Sequence, residues 1–296
     1  MRLRLRAPGK LNLALEVLGL RADGFHEIRS VVQTVSLFDA LEAEAAKGLS
    51  LSAPPELGPA RENLAFRAAR RLREIPGSPR GAHLRLEKRI PVGVGLGGGS
   101  SDAAAALRLL ARLWRLEATS PDLSVLAAEL GSDVPFFLSG SAALLRGHGE
   151  QVEPVPPLQA VWFVLVMPPW REPDKTRRVY AAVSQDDYTS GSRAELLAQA
   201  LKAGRSIKQS QLVNGLFPAA GRVFPKLSDL QRQLREATGA EFLLAGAGPA
   251  LFCVCASKTE AGRKAAPARA FGCKVHVVRS AGGLTRICRV RSHADS

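Results

Sequence analysis

The chain has 296 residues, 46% hydrophobic and 23% charged, which is the composition of a globular protein long enough for a large core or for two domains. Its formal net charge is +14, from 41 Lys+Arg against 27 Asp+Glu, and the excess is uneven: residues 1–150 hold 20 basic and 16 acidic side chains, residues 151–296 hold 21 and 11. Such a balance suits anionic ligands, but the basic residues are scattered and aromatics make up only 5%, which argues against a nucleic-acid surface of clustered cations and stacking rings.

Met1 to Arg6 is charged and lacks the apolar segment of a secretory signal. Arg2 to Leu18 alternates polar and apolar residues in two strand-like pieces broken at Pro8-Gly9, and Asp23-Gly24 predicts a hairpin turn before a second extended run, Ile28 to Leu37. A helix is expected from Asn63 to about Glu74. From Ala82 to Ile90, Leu84 and Leu86 alternate with Arg85 and Glu87, as in a strand with one solvated face. The helix expected from Asp102 to about Leu116 carries a narrow polar stripe, Arg108, Arg112 and Arg115, on an otherwise apolar surface. Ser120-Pro121-Asp122 starts the next helix, with Ser as N-cap and Pro at the first helical position, and Gly131 stops it.

Proline density from Glu153 to Pro157 marks a boundary, so an N-terminal domain over 1–155 and a C-terminal domain over 156–296 are expected. The second half then reads as strand Val161–Met167, helices near Arg193–Ala203 and Leu227–Thr238, strand Phe242–Leu244, the loop Ala245-Gly246-Ala247-Gly248, strand Ala250–Cys255, a helix through 259–270, strand Lys274–Val278 and a disordered Ser/Arg-rich tail. That order suggests an α+β sandwich. The longest apolar run, Ala160 to Met167, stops at Pro168-Pro169 and is too short to span a bilayer. Cys253, Cys255, Cys273 and Cys288 form no C-x-x-C pair and have no His at metal spacing, so they read as buried, reduced thiols. A cytoplasmic protein is expected, with no membrane partner.

The most informative stretch is Pro91-Val92-Gly93-Val94-Gly95-Leu96-Gly97-Gly98-Gly99-Ser100-Ser101, running into the apolar helix. Glycines let the backbone approach a ligand, and the helix behind them points unsatisfied N–H groups and its positive dipole end at an anion. A Walker A loop would need Lys after its last glycine, and Ser100 follows Gly99. Gly93, Gly95 and Gly98 satisfy G-x-G-x-x-G, and Glu117 lies where a ribose-binding acid is expected. A dinucleotide fold is disfavoured all the same, because the strand before the loop is amphipathic rather than buried on both faces and Glu117 closes a helix.

The loop has companions. Pro8-Gly9-Lys10-Leu11-Asn12-Leu13, Arg21-Ala22-Asp23-Gly24-Phe25-His26, Pro91 to Ser101, Gly131-Ser132-Asp133-Val134-Pro135 and Ala245 to Gly248 together resemble the GHMP small-molecule kinases. More narrowly, the chain is similar to the branch that phosphorylates the 2-hydroxyl of a cytidine-diphosphate-linked methylerythritol in non-mevalonate isoprenoid biosynthesis. The resemblance implies the GHMP kinase fold, two α/β-sandwich domains with the active site in the cleft between them, and ATP and Mg²⁺ as cofactors. It also implies a small-molecule partner and a monomer or weak homodimer. A homoserine- or mevalonate-type kinase is one alternative, and the Asp-Gly-Phe-His turn argues against it because those substrates carry no base to stack. A non-catalytic nucleotide- or nucleic-acid-binding protein is the other.

By the same resemblance each motif has a role. The glycine loop, Pro91, Val92, Gly93, Val94, Gly95, Leu96, Gly97, Gly98, Gly99, Ser100 and Ser101, would hold the β- and γ-phosphates, with one serine reaching a phosphate or the metal and the other capping the helix. Asp133 would accept or orient the acceptor proton and Lys10 would sit beside it, drawing charge off the acceptor oxygen; by spacing alone, Asp133 serves equally as the N-cap of a short helix through Phe136-Phe137. Asn12, on the same face of its strand as Lys10, would bind a substrate hydroxyl. Phe25, His26, Thr176 and Tyr180 would hold the cytosine end by stacking and hydrogen bonding. Asn63 and Lys88 would lie near adenine, although Asn63 equally reads as a helix N-cap. Three features depart from the family pattern: Phe25 in place of a tyrosine, Ala247 in place of Ser or Thr, and the run Arg146-Gly147-His148-Gly149-Glu150.

Overall fold

The computed structural model describes residues 1–75, 81–116 and 120–290, and of residues 120–122 the backbone alone. Glu117, the cap at Ser120-Pro121-Asp122 and the C-terminal tail from 291 therefore lie outside the described residues or side chains. In chain order the elements are β1 (Arg2–Leu20), β2 (His26–Ala46), β3 (Leu49–Ser52), α1 (Leu64–Arg73), β4 (Gly81–Glu87), α2 (Gly98–Trp114), α3 (Ser120–Leu130), α4 (Val134–Ser139), β5 (Ala142–Arg146) and β6 (Gln151–Pro154). They continue with β7 (Trp162–Met167), α5 (Lys175–Ala181), α6 (Ser192–Lys202), β8 (Val213–Asn214), α7 (Phe217–Val223), α8 (Leu227–Thr238), β9 (Leu243–Leu244), β10 (Leu251–Cys255), α9 (Lys258–Ala268), β11 (Lys274–Arg279) and β12 (Cys288–Val290).

The β1–β2 hairpin is the spine of an eight-stranded sheet ordered β12-β1-β2-β4-β3, with β5 added on β2, β6 on β5 and β8 parallel to β1. A four-stranded sheet, β11-β7-β10-β9, is antiparallel throughout. One apolar cluster lies between the first sheet and α1, α2 and α3, and a third packs α8 and α9 on the second sheet. The cluster between them mixes Leu11, Val31 and Leu144 with Phe163, Leu197 and Phe252, so residues from both sides of 155 share one core. β8 and β12 also return from the second half to pair with β1. Among the described residues, no helix is long and apolar enough to cross a membrane.

Four differences from the sequence expectations have local causes. Pro8-Gly9 does not break β1 but shifts its register, because proline has no N–H for the ladder and a bulge absorbs the misfit. β2 runs on to Ala46: the acids that hide this extension form cross-strand ion pairs, Arg4 to Glu42 at 2.8 Å and Arg2 to Glu44 at 3.1 Å, while Leu41 and Ala43 face the core. α2 starts at Gly98 rather than Asp102, with Gly97 at φ 69° as its N-cap, so four residues expected in the loop form its first turn. Of the thiols, all free, Cys253 and Cys255 are buried as expected, but Cys273 is half-buried and Cys288 is exposed because β12 is an edge strand.

Candidate active site

The glycine loop joins β4 to α2 and needs its glycines at particular points. Gly93, Gly95 and Gly97 have φ of 75°, 97° and 69°, a region that side chains with a Cβ rarely adopt. The first-turn N–H groups of Gly98, Gly99 and Ser100 have no acceptor within the helix, whereas Ser101 N–H donates to Gly97 O at 2.9 Å. Ser100 is half-buried on the open side; Ser101 is buried, and its hydroxyl has no hydrogen-bond partner.

Two other segments hold the loop. Lys10 N–H donates to Leu96 O at 2.8 Å, and Ala250 N–H to Val94 O at 3.2 Å. The Ala245–Gly248 loop lies against it backbone to backbone: a Cβ on Gly246 would fall 2.7 Å from Gly95 O, and one on Gly95 would fall 3.2 Å from Gly248 N. Ala247 thus sits in a buttress that works through backbone alone. Beneath the loop, the buried Asp39 accepts N–H bonds from Arg89 (2.6 Å) and Ile90 (2.9 Å) and pairs with Lys88 at 2.5 Å, while Lys88 also meets Asp102 at 2.7 Å. Burial pushes the Asp102 carboxyl up to about 8, against the pull of Lys88 and with the help of Asp39.

β1 carries Lys10 and Asn12. Lys10 Nζ lies 3.3 Å from Asp133 Oδ2 and donates to Asn12 Oδ1 at 2.7 Å; Asn12 Nδ2 donates to Ser30 Oγ at 2.7 Å, which donates to Ala14 O at 2.7 Å. The bulge between Asn12 and Ala14 lies within this chain of bonds. Asn12, expected to bind a substrate hydroxyl, has its amide oxygen on Lys10 and its amide nitrogen on Ser30. Asp133 occupies the N-cap position of α4 but makes no side-chain capping bond. Its carboxylate turns instead to Lys10, and the side chain stays 33% exposed against 7% for Lys10.

The hairpin turn presents Phe25, 54% exposed. Asp23 shapes the turn by accepting Phe25 N–H at 3.1 Å, and Arg21 N–H closes it on Phe25 O at 2.7 Å. The Phe25 ring stacks on His148 with centroids 4.7 Å apart, and His26 lies 5.5 Å from Tyr180 and 6.3 Å from Tyr188. Phe25 and Tyr180 thus belong to two adjacent ring pairs rather than facing each other. Burial lowers the His26 imidazole, while burial and then Asp133 raise the Tyr180 phenol. His148 Nδ1 is 2.8 Å from Ser132 Oγ, tying the Arg146–Glu150 turn to the segment that carries Asp133.

The structure thus brings together Lys10, Asn12, Asp133 and the glycine loop, with Phe25, His26 and Tyr180 grouped at the hairpin end. Thr176 is exposed at the first turn of α5. Asn63 caps α1 through a 2.9 Å bond from Ala65 N–H, and Lys88 is engaged by Asp39 and Asp102, so both expected adenine contacts already have structural partners. Sequence reasoning missed Asp39, Asp102, His148 and Tyr188, which contact the expected residues. Asp39, a lone acid in the run Val35–Leu41, was the one with a visible signal.

Family models described as GHMP kinases N terminal domain and GHMP kinases C terminal match residues 63–141 and 194–272. The protein of Pelotomaculum thermopropionicum named 4-diphosphocytidyl-2-C-methyl-D-erythritol kinase is 40% identical over 278 residues, 93% of this chain and 96% of its own length. Its namesake in Thermus thermophilus is 40% identical over 269 residues, 90% and 92% of the two chains. A crystal structure of 4-(cytidine 5'-diphospho)-2C-methyl-D-erythritol kinase is similar with a TM-score of 0.80 and 38% identity, covering 94% of this chain and 99% of that one. Homoserine kinase from Cytophaga hutchinsonii, 18% identical with a TM-score of 0.76 over 97% of each chain, shares the fold. The phosphate-type loop, the Lys10–Asp133 pair beside it and these relationships over nearly the whole length agree: the chain belongs to the GHMP kinases, and within them to the 4-diphosphocytidyl-2-C-methyl-D-erythritol kinase family.

Proposed function

We propose that this chain transfers the γ-phosphoryl group of ATP to the 2-hydroxyl of 4-diphosphocytidyl-2-C-methyl-D-erythritol, with Asp133 and Lys10 at the reacting centre. One observation carries the assignment of residues: Lys10 bonds the glycine loop through its backbone and Asp133 through its side chain, so the phosphate cradle and the proton acceptor meet at a single residue. Phosphoryl transfer asks for positioning and charge neutralisation more than covalent chemistry. The free N–H groups at the start of α2 and its dipole hold the β- and γ-phosphates. Asp133 takes or orients the acceptor proton, and Lys10, held in place by Asn12, donates to the oxygen on which charge develops. The ring pairs Phe25–His148 and His26–Tyr180 receive cytosine, a base that homoserine and mevalonate lack.

Among the described residues, no three His, Cys, Asp or Glu side chains converge as a metal cage. The half-buried Ser100 hydroxyl at the start of α2 would be a protein ligand for a Mg²⁺ ion carried on the nucleotide phosphates. When bound, the ion neutralises charge on the β- and γ-phosphates. The protein would act on a small molecule as a cytoplasmic monomer or weak homodimer.

The test is ADP release with ATP, Mg²⁺ and each acceptor in turn. Release with the cytidylyl acceptor alone is expected. Release only with homoserine or mevalonate would move the acceptor assignment, and no release with any would overturn the kinase reading.

A further inference from the structure

We propose that Lys175 is a second catalytic cation, donating a hydrogen bond to the phosphoryl group as it passes from ATP to the acceptor oxygen. The proposal rests on the reading of Lys10 and Asp133 as the reacting pair. Lys175 is the first residue of α5 and only 9% exposed. Its Nζ has a long contact of 3.4 Å to Thr176 Oγ1, and among the described residues no carboxylate lies within ion-pair distance. The other lysines drawn into the site are answered: Lys10 has Asp133 and Asn12, and Lys88 has Asp39 and Asp102. A buried ammonium without a counter-charge destabilises a fold, so it points to a negatively charged ligand as the missing partner.

The surroundings say which part of the ligand that is. Lys10 and Asp133 are the charged groups that act on Lys175, so its buried ammonium shares the site with that pair. Two ammonium groups against one carboxylate leave a net positive site where the three non-bridging oxygens of the transferred group must pass. Burial, and then Lys10, lower the Lys175 ammonium to about 8, opposed by Asp133, and a bound phosphoryl group would reverse that shift. In the transfer, the bond from the γ-phosphorus to the β,γ-bridging oxygen breaks and ADP leaves. The acceptor oxygen bonds the γ-phosphorus and its proton goes to Asp133. Lys175 keeps its protons throughout and donates to a non-bridging oxygen.

Lys175→Met and Lys175→Arg in the full chain, alongside Asp133→Asn, test this through steady-state kinetics with both substrates varied and through thermal unfolding. Lys175→Met should lower kcat at least about 100-fold, with KM for ATP and acceptor each within about threefold, as loss of a transition-state contact does. It should also raise Tm by removing the unanswered charge, and Lys175→Arg should recover at least about tenfold of the lost rate. Three results would overturn the proposal: kcat within about threefold of the parent; a loss confined to the acceptor KM, which would assign Lys175 to the acceptor diphosphate; or a loss of rate with a fall in Tm that Arg does not restore, which would make it a structural lysine. An active Asp133→Asn would instead sink the reacting-pair reading, whereas an inactive Asp133→Asn beside an active Lys175→Met would remove this inference alone.

Discussion

Asp133 is a third exposed, makes no capping bond to α4 and faces a lysine that is almost wholly buried. Its carboxylate caps nothing but is the counter-charge of Lys10, so Asp133→Asn should lower kcat by about 10²–10⁴ and leave ADP affinity nearly unchanged, with a lower Tm from the unpaired Lys10, as read by steady-state kinetics, ADP titration and melting. A kcat within about threefold of the parent in a destabilised Asp133→Asn protein would return Asp133 to a structural role. Phe25, with half its surface open, is the matching case at the base end: Phe25→Ala should raise the acceptor KM by about tenfold, within the range of one lost stacking contact, and leave the ATP KM alone. An equal rise in both would remove the stacking assignment. At this scale the sequence was readable where motif residues are few and spaced on one strand, as with Lys10 and Asn12. It was silent about Lys175 and His148, whose places in the site depend on how distant loops fold against β1 and β2.

The glycine loop shows what an element adds to its residues. Read as sequence, it is a phosphate-type loop running to Ser101 with the helix expected from Asp102; folded, it is pinned by Lys10, Ala250 and the Asp39 carboxylate, and α2 begins four residues sooner. Each of those bonds leaves N–H groups at the helix start free for a phosphate. Gly95→Ala combines a φ of 97° with a Cβ that would fall 3.2 Å from Gly248 N and 3.3 Å from Gly248 O. It should cost about 1–3 kcal/mol of stability and raise the ATP KM well above any change in the acceptor KM, measured by denaturant unfolding and kinetics. Normal ATP affinity in a folded Gly95→Ala protein would show that the buttress from Ala245–Gly248 does not set the loop's shape. The start of α2 was misread for a physical reason: Gly98 and Gly99 have low helix propensity, and only the tertiary bonds around them make the turn helical.

For the molecule as a whole, the buried Asp39–Lys88–Asp102 cluster couples stability to pH. The folded Asp102 carboxyl is raised from 3.8 to about 8, so the folded chain binds more protons than the unfolded one between those values and its stability falls as pH rises through them. Asp102→Asn removes that dependence. The parent should lose Tm relative to the variant on going from about pH 5 to about pH 8, and parallel melting curves across that window would mean that Asp102 is ionised in the fold. Burial on this scale also explains why the two halves are not independent: Phe163 and Phe252 share a core with Leu11 and Val31, and β8 and β12 complete the sheet begun by β1.

What the sequence determined by itself is what local spacing encodes. The phosphate-type loop, the hairpin turn, the longer helices and most strands of the second sheet, the Lys10–Asn12 face and the candidacy of Asp133 were all legible, because each depends on dihedral preferences, apolar period or residues within one turn or strand. Tertiary structure alone decided that Asp133 makes no capping bond to α4, that Asn12 bonds Lys10 and Ser30, that β2 extends through paired acids, and that Lys175 is buried with no counter-charge among the described residues. Those outcomes turn on burial and on which distant groups meet, and the free energy of a buried charge or hydrogen bond is set by its partners rather than by its neighbours in sequence.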